Sequence, residues 1–194
     1  GTGLPGENIH YVIEEKPLGV HHALNLARPH VKGSRVLLYF SDNITTIELT
    51  DAVDDFRKSV PPPGCALVGR DVEDPERFGV AVFDQEGELK DIIEKPQNPP
   101  SSFAIGGIYL YDETFWDKLD SVIEEKGTNM SISDVNRAYI REGKAIVLES
   151  EDSLWIDCGT PSALFEANVL AKEGKLSPEP CNYRDGELSS SNSD

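Results

Sequence analysis

Long apolar runs are missing from this chain. Nothing in its 194 residues approaches the ~20 consecutive apolar positions that a membrane-spanning helix needs. No basic stretch followed by an apolar one opens it like a secretory leader, so the cytoplasm is the expected location. Positive charge is scarce as well: 18 Lys and Arg against 35 Asp and Glu leave a formal net charge of −17. Such a surface argues against a nucleic-acid partner, because phosphate contacts need a basic face. It does not exclude a small phosphate ligand, since one lysine in a cleft can dominate the local field. Cysteine is limited to Cys65, Cys158 and Cys181. Their spacing fits no metal-ligand pattern and three cannot all pair with one another, which leaves reduced thiols as the expectation. Methionine occurs once, at Met130, while the chain starts Gly1-Thr2-Gly3; an initiator has been lost, or the sequence began further upstream.

What is present suits one globular domain. Hydrophobic residues make up 38% and charged residues 27%, ordinary for a folded protein with a sizeable core. The domain is expected over residues 1–176. From Ser177 the chain turns into a polar tail, 177–194, with little to bury and flexibility expected. Within the domain, 9–13 is a short β-type run. A helical pattern over 20–27 follows Pro17-Leu18-Gly19 and is expected to stop at Pro29. Val36-Leu37-Leu38-Tyr39-Phe40 is a short apolar run bounded by Ser41-Asp42-Asn43, the pattern of a strand buried on both faces of a mainly parallel sheet. Thr50 is placed as the N-cap of a helix carrying Ala52, Val53 and Phe56 on one face. Runs at 65–68, 78–83 and 89–93 read as strands, the last two joined by Asp84-Gln85-Glu86-Gly87 as a hairpin. A longer strand over 103–111 contains Gly106-Gly107. Helices are expected over 113–125 and 132–142, short strands over 145–148 and 155–156, and a closing helix over 161–172 with Pro161 in its first turn. Strands alternating with helices, plus one hairpin insertion, indicate a three-layer α/β domain.

Several residues stand where chemistry is usual in such folds, beyond the carboxyl ends of strands. Asp42 follows one apolar run and Asp157 ends another, in Trp155-Ile156-Asp157-Cys158-Gly159-Thr160-Pro161. Either acid can simply turn its chain, with Thr160 capping the next helix. Both together can hold one Mg²⁺, leaving its remaining positions to phosphate and water. Lys95, in Glu94-Lys95-Pro96, is a point charge suited to phosphate, and Glu94 a carboxylate suited to sugar hydroxyls; a solvated loop is the plainer reading. Gly79 after Arg77-Phe78, and Gly106-Gly107 inside a strand, mark either close packing or a ligand's approach to backbone. His21 and His22, adjacent at a helix start, face different directions and make a poor metal pair.

Taken in order, these segments resemble the sugar-1-phosphate nucleotidyltransferases, among them the glucose-1-phosphate thymidylyltransferases. The matching stretches are Tyr11-Val12-Ile13-Glu14-Glu15-Lys16-Pro17-Leu18-Gly19, Ser41-Asp42-Asn43, Asp74-Pro75-Glu76-Arg77-Phe78-Gly79-Val80, Glu94-Lys95-Pro96, Gly106-Gly107-Ile108-Tyr109, Ser133-Asp134-Val135-Asn136 and Trp155-Ile156-Asp157-Cys158-Gly159-Thr160. The resemblance implies a Rossmann-like domain with a mixed, mainly parallel sheet. It also implies transfer of a nucleotidyl group from a nucleoside triphosphate, dTTP favoured and UTP possible, to a hexose 1-phosphate, with pyrophosphate released. On the same grounds Asp42, Lys95 and Asp157 form the catalytic set, with Asp42 and Asp157 holding Mg²⁺. Glu14, Gly19, Asn43, Gly79, Glu94, Ile105 and Gly107 form the substrate-binding set, and a homo-oligomer is possible.

Three departures accompany the resemblance. The family's opening strand and loop Gly-Gly-x-Gly-Thr-Arg-Leu have no counterpart in Gly1-Thr2-Gly3-Leu4-Pro5-Gly6, so the chain by itself is expected to be inactive. A base-reading glutamine is replaced by Glu14, which cannot donate a hydrogen bond when ionised. An Arg-Gly-Glu segment is replaced around Gly127-Thr128-Asn129, where Lys126 is the nearest substitute cation. The alternative to an enzyme is a non-catalytic sugar-phosphate-binding or regulatory relative of the same fold.

Overall fold

The structure, a computed structural model, describes residues 9–149 and 153–176. The tail over 177–194, Cys181 and the 1–6 segment lie outside the described residues. In chain order the elements are α1 (Val20–Val31), β1 (Val36–Tyr39), β2 (Asn43–Thr45), α2 (Leu49–Lys58), β3 (Cys65–Asp71), β4 (Gly79–Phe83) and β5 (Leu89–Glu94). They continue with β6 (Phe103–Tyr111), α3 (Phe115–Lys126), α4 (Ile132–Arg141), β7 (Ala145–Glu149), β8 (Trp155–Asp157) and α5 (Pro161–Lys172). Two compact units result, one from Gly1–Phe40 with Glu48–Glu151, the other from Ser41–Ile47 with Asp152–Asp194.

The larger unit is built on a sheet in the order β5-β4-β6-β3-β7, with β1 also paired to β6. All nine residues of β6 are buried, because helices cover both of its faces. On one face Ala66 and Leu110 pack against Ala52 and Phe56 of α2. On the other, Cys65, Leu67, Tyr109 and Tyr111 meet Phe115, Leu119, Val135 and Tyr139 of α3 and α4. The alternation of side chains along a strand sends neighbours to opposite layers, and the expected three-layer α/β arrangement follows.

The balance within the sheet corrects one expectation. Among the described strand pairs only β3–β7 runs parallel; β1–β6, β3–β6, β4–β5 and β4–β6 are antiparallel. The sheet is mixed but not mainly parallel. Its cause is connectivity. β4 and β5 are joined by a tight turn in which the Asp84 carboxylate accepts from the Glu86 and Glu88 amides at 3.1 and 2.9 Å, whereas β7 follows two helices and crosses back to lie along β3.

Four local readings are also corrected. The 9–13 run forms no strand and leaves Tyr11 and Ile13 77% and 83% exposed; β-propensity without a partner ladder does not make a strand. β1 is buried on one face only, with Leu37 on the open side and Val36 and Leu38 on the core. α1 continues through Pro29 to Val31. There Arg28 is tied to Asp120 at 2.5 Å and lies over the Trp116 ring, and tertiary anchoring outweighs the one backbone bond that proline removes. α2 starts before Thr50, because the Glu48 carbonyl already takes the Asp51 and Ala52 amides at 3.1 and 3.3 Å.

The smaller unit is a two-stranded antiparallel ladder followed by α5. Asn43 faces Asp157, Ile44 faces Ile156 and Thr45 faces Trp155. Thr160 caps α5 by accepting from the Ala163 amide at 3.2 Å, with Pro161 in the first turn. No helix among the described residues is long and apolar enough to cross a membrane.

Candidate active site

The smaller unit brings Asp42 and Asp157 to one end of its ladder. Asp157 closes β8 opposite Asn43, and the next backbone bond runs from the Cys158 amide to the Asp42 carbonyl at 2.7 Å. Antiparallel pairing therefore does what strand ends alone could not: it sets two acids, 115 positions apart by their numbers, on adjacent rungs. Asp42 Oδ1 accepts from Asn43 Nδ2 at 2.8 Å, and Asp157 Oδ1 accepts from the Gly159 amide at 2.9 Å. Among the described residues the second oxygen of each carboxylate carries no hydrogen bond. The field of both acids is felt between them: partial burial, then Asp157, Asp42 and Glu166, hold the Cys158 thiol above its ordinary pKa. Two carboxylates, each with one oxygen to spare, are a donor set suited to a hard cation that keeps several waters. No group of three or more His, Cys, Asp or Glu residues is arranged for a metal among the described residues.

The larger unit gathers a second set of predicted residues. Gly79, first in β4, pairs with Glu94, last in β5, and on its other side with Ile105 of β6. A Cβ on Gly79 would lie 3.3 Å from Glu94 Oε2 and from Ile92 Cγ2, so the missing side chain is what gives the Glu94 carboxylate its place. Ser133, at the start of α4, donates to Glu94 Oε2 at 2.8 Å. Lys95 follows with φ of 45°, a left-handed conformation uncommon outside glycine; its amide is held by the Phe78 carbonyl at 2.9 Å. Among the described residues the Lys95 ammonium makes no ion pair, and it is exposed. The Gly107 carbonyl accepts from the Phe40 amide at 2.8 Å.

A third set lies at the start of α1, in the same unit. Glu14 Oε1 accepts from the Leu18 amide at 3.2 Å and from His22 Nδ1 at 2.6 Å, and the His22 bond holds the Glu14 carboxyl below its usual range. Gly19, at φ 102°, lets the chain turn into the helix, where its carbonyl takes the His22 amide at 3.0 Å. His21 is buried and His22 half-buried.

Sequence reasoning missed three side chains: His22, Ser133 and Trp155, whose indole Nε1 donates to Asn43 Oδ1 at 2.6 Å. Ser133 and Trp155 stood inside stretches already singled out, but neither residue type announces a partner far away in the chain. Lys126, the substitute cation, is engaged instead by Asp134 at 2.6 Å.

A sequence profile of the nucleotidyl transferase family matches residues 5–174. The chain belongs to that family. Among relatives of this nucleotidyl transferase chain, the glucose-1-phosphate thymidylyltransferase of Xanthomonas campestris is 36% identical over 165 residues, 84% of this chain and 55% of that protein. The low-salt glycan biosynthesis nucleotidyltransferase Agl11 of Haloferax volcanii is 31% identical over 170 residues, 88% of this chain and 47% of that protein. The chain thus spans about half the length of the curated relatives it matches. Among solved structures, a protein of Bacillus anthracis, provisionally assigned as a glucose-1-phosphate thymidylyltransferase and in complex with sucrose, aligns with a TM-score of 0.72 and 32% identity. That alignment covers 80% of this chain and 61% of the other. A UDP-glucose pyrophosphorylase complexed with UDP-glucose aligns with a TM-score of 0.70 over 84% of this chain and 66% of the other; at 21% identity it supports the fold alone.

Proposed function

We propose that this nucleotidyl transferase chain serves the coupling of a nucleoside triphosphate to a hexose 1-phosphate, yielding a nucleotide sugar and pyrophosphate. The nucleoside triphosphate is dTTP by preference, with UTP as the alternative. The observation that carries the reading is the ladder end at which Asp42 and Asp157 each keep an oxygen with no hydrogen bond among the described residues. These two residues would hold Mg²⁺, which when bound neutralises phosphate charge and orients phosphate oxygens. Lys95, exposed and without an ion pair among the described residues, takes the phosphate of the sugar substrate. Glu94, fixed by Ser133 at 2.8 Å, accepts from sugar hydroxyls beside Gly79, with Ile105 and Gly107 bordering the sugar. Glu14 and Gly19 face the base, and Asn43 supports Asp42. The reaction needs little acid–base chemistry: the sugar-phosphate oxygen attacks the α-phosphorus in line, and the protein contributes alignment and charge. A membrane or nucleic-acid partner forms no part of this reading, and a homo-oligomer is compatible with it.

A second reading, a non-catalytic sugar-phosphate-binding relative, is favoured by one observation. Glu14 is a carboxylate already engaged by His22 and Leu18, and can only accept from a base. Isothermal titration with glucose 1-phosphate, dTDP-glucose and dTTP, each with Mg²⁺, tests both. Sugar ligands bound with Mg²⁺ in a way that Asp42→Ala/Asp157→Ala abolishes support the enzyme reading; sugar ligands bound equally well by that variant support the second. Silence toward all three by a folded sample overturns both.

A further inference from the structure

We infer that Trp155 and Asn43 form a positioning relay that fixes which oxygen of Asp42 is presented to a divalent cation. The inference rests on the metal-holding role given to Asp42 above and goes beyond it, to the two residues whose hydrogen bonds orient its carboxylate.

The relay has two links. Trp155 Nε1 donates to Asn43 Oδ1 at 2.6 Å, and Asn43 Nδ2 donates to Asp42 Oδ1 at 2.8 Å. An indole N–H can only donate, so the group facing it must be the carboxamide oxygen. That choice settles the orientation of the whole Asn43 amide and directs its NH₂ toward Asp42. Asn43 is itself buried, at 8% exposure, where an amide turned the wrong way would set a donor against a donor. Register supplies the geometry. Thr45 faces Trp155 and Asn43 faces Asp157, so the ring of Trp155, two residues before Asp157, reaches along the ladder to the residue beside Asp42. With Oδ1 so engaged, Oδ2 of Asp42 is left free among the described residues, at the same ladder end as the free oxygen of Asp157.

The polarity of each member is specific. An aspartate at position 43 could not donate to Asp42, and a phenylalanine at position 155 would fill the space of the indole without orienting the amide. Hydrogen bonds to metal-ligating carboxylates are commonly worth 10–100-fold in metal affinity, and the relay supplies one such bond.

The test is Mn²⁺ binding to the whole chain, followed by electron paramagnetic resonance with the metal alone, for wild type, Trp155→Phe, Asn43→Ala and the double variant. Thermal melts report folding for each. The expected result is an Mn²⁺ affinity about tenfold weaker in Trp155→Phe. A similar or larger loss is expected in Asn43→Ala, with no further loss when both changes are combined, because both act through one chain of bonds. Trp155→Phe with a lowered melting temperature but wild-type Mn²⁺ affinity overturns the relay and leaves the proposed function standing. Additive losses in the double variant overturn it as well. Wild-type protein that takes up no Mn²⁺, or Asp42→Asn that binds it as well as wild type, overturns the metal role of Asp42 and the relay with it.

Discussion

Gly79 and Asp134 show how single residues act here through the groups they hold. A methyl at position 79 would press on the Glu94 carboxylate and the Ile92 side chain, both at 3.3 Å, where a few tenths of an ångström must be yielded. Gly79→Ala is therefore expected to weaken dTDP-glucose binding by about tenfold, because small displacements of a positioned group are costly, while the melting temperature changes little. Titration calorimetry beside a thermal melt checks it. Asp134 accepts from Lys126 at 2.6 Å, from Arg137 at 3.0 Å and from the Ser131 amide at 2.8 Å. Burial works to raise its pKa, but the Lys126 and Ser131 bonds outweigh burial and the net direction is down. A lowered folded-state pKa gives stability that is present above the unfolded value, near 3.9, and lost as pH falls through the folded one. Asp134→Asn should be less stable by ~1 kcal/mol at pH 7 and should lose less on acidification below about pH 4; melts from pH 7 to pH 2 decide it. The residue types were legible in the sequence at these sites. Their partners were not, because hydrogen bonds such as Ser133–Glu94 and His22–Glu14 span 39 and 8 positions.

Elements that depend on local chemistry formed where the sequence placed them. The β4–β5 hairpin needs only the Asp84 turn, and α5 needs only Thr160, Pro161 and an apolar run. At the start of α4 a further local set, not singled out in the sequence, has the Asp134 carboxylate accepting from the Ser131 amide and hydroxyl at 2.8 and 3.2 Å. Ser131→Ala should cost ~1 kcal/mol and lower the melting temperature by a few degrees, measurable by calorimetry. Elements whose fate depends on distant partners went otherwise. Residues 9–13 have the composition of a strand but no ladder among the described residues, and α1 passes through Pro29 because Arg28 is fixed to Asp120 and Trp116. β1 reads as doubly buried from its own five apolar residues, yet Leu37 is 41% exposed. What covers a strand is decided by other segments.

Among the described residues burial is concentrated in β3 and β6, while in the 9–18 stretch Ile9, Tyr11, Ile13 and Leu18 all stand about half or more open to solvent. Among the described residues, native-state hydrogen exchange should accordingly be slow at the amides of β6 and fast over 9–18; uniform protection would contradict this distribution. The net charge of −17 predicts no retention on a polyanionic matrix and no shift of duplex DNA at 0.15 M salt, which a mobility-shift assay checks. The sequence by itself determined most of the helix-and-strand alternation, the hairpin, the Thr160 cap of α5 and the types of the site residues, because each rests on contacts within a few positions or on composition. Tertiary structure alone decided the antiparallel balance of the sheet, the setting of Asp42 beside Asp157 at one end of the β2–β8 ladder, and the hydrogen bonds that aim Glu94, Glu14 and Asp42. Those arrangements depend on which distant segments meet and in what register, and a linear sequence carries no direct signal of either.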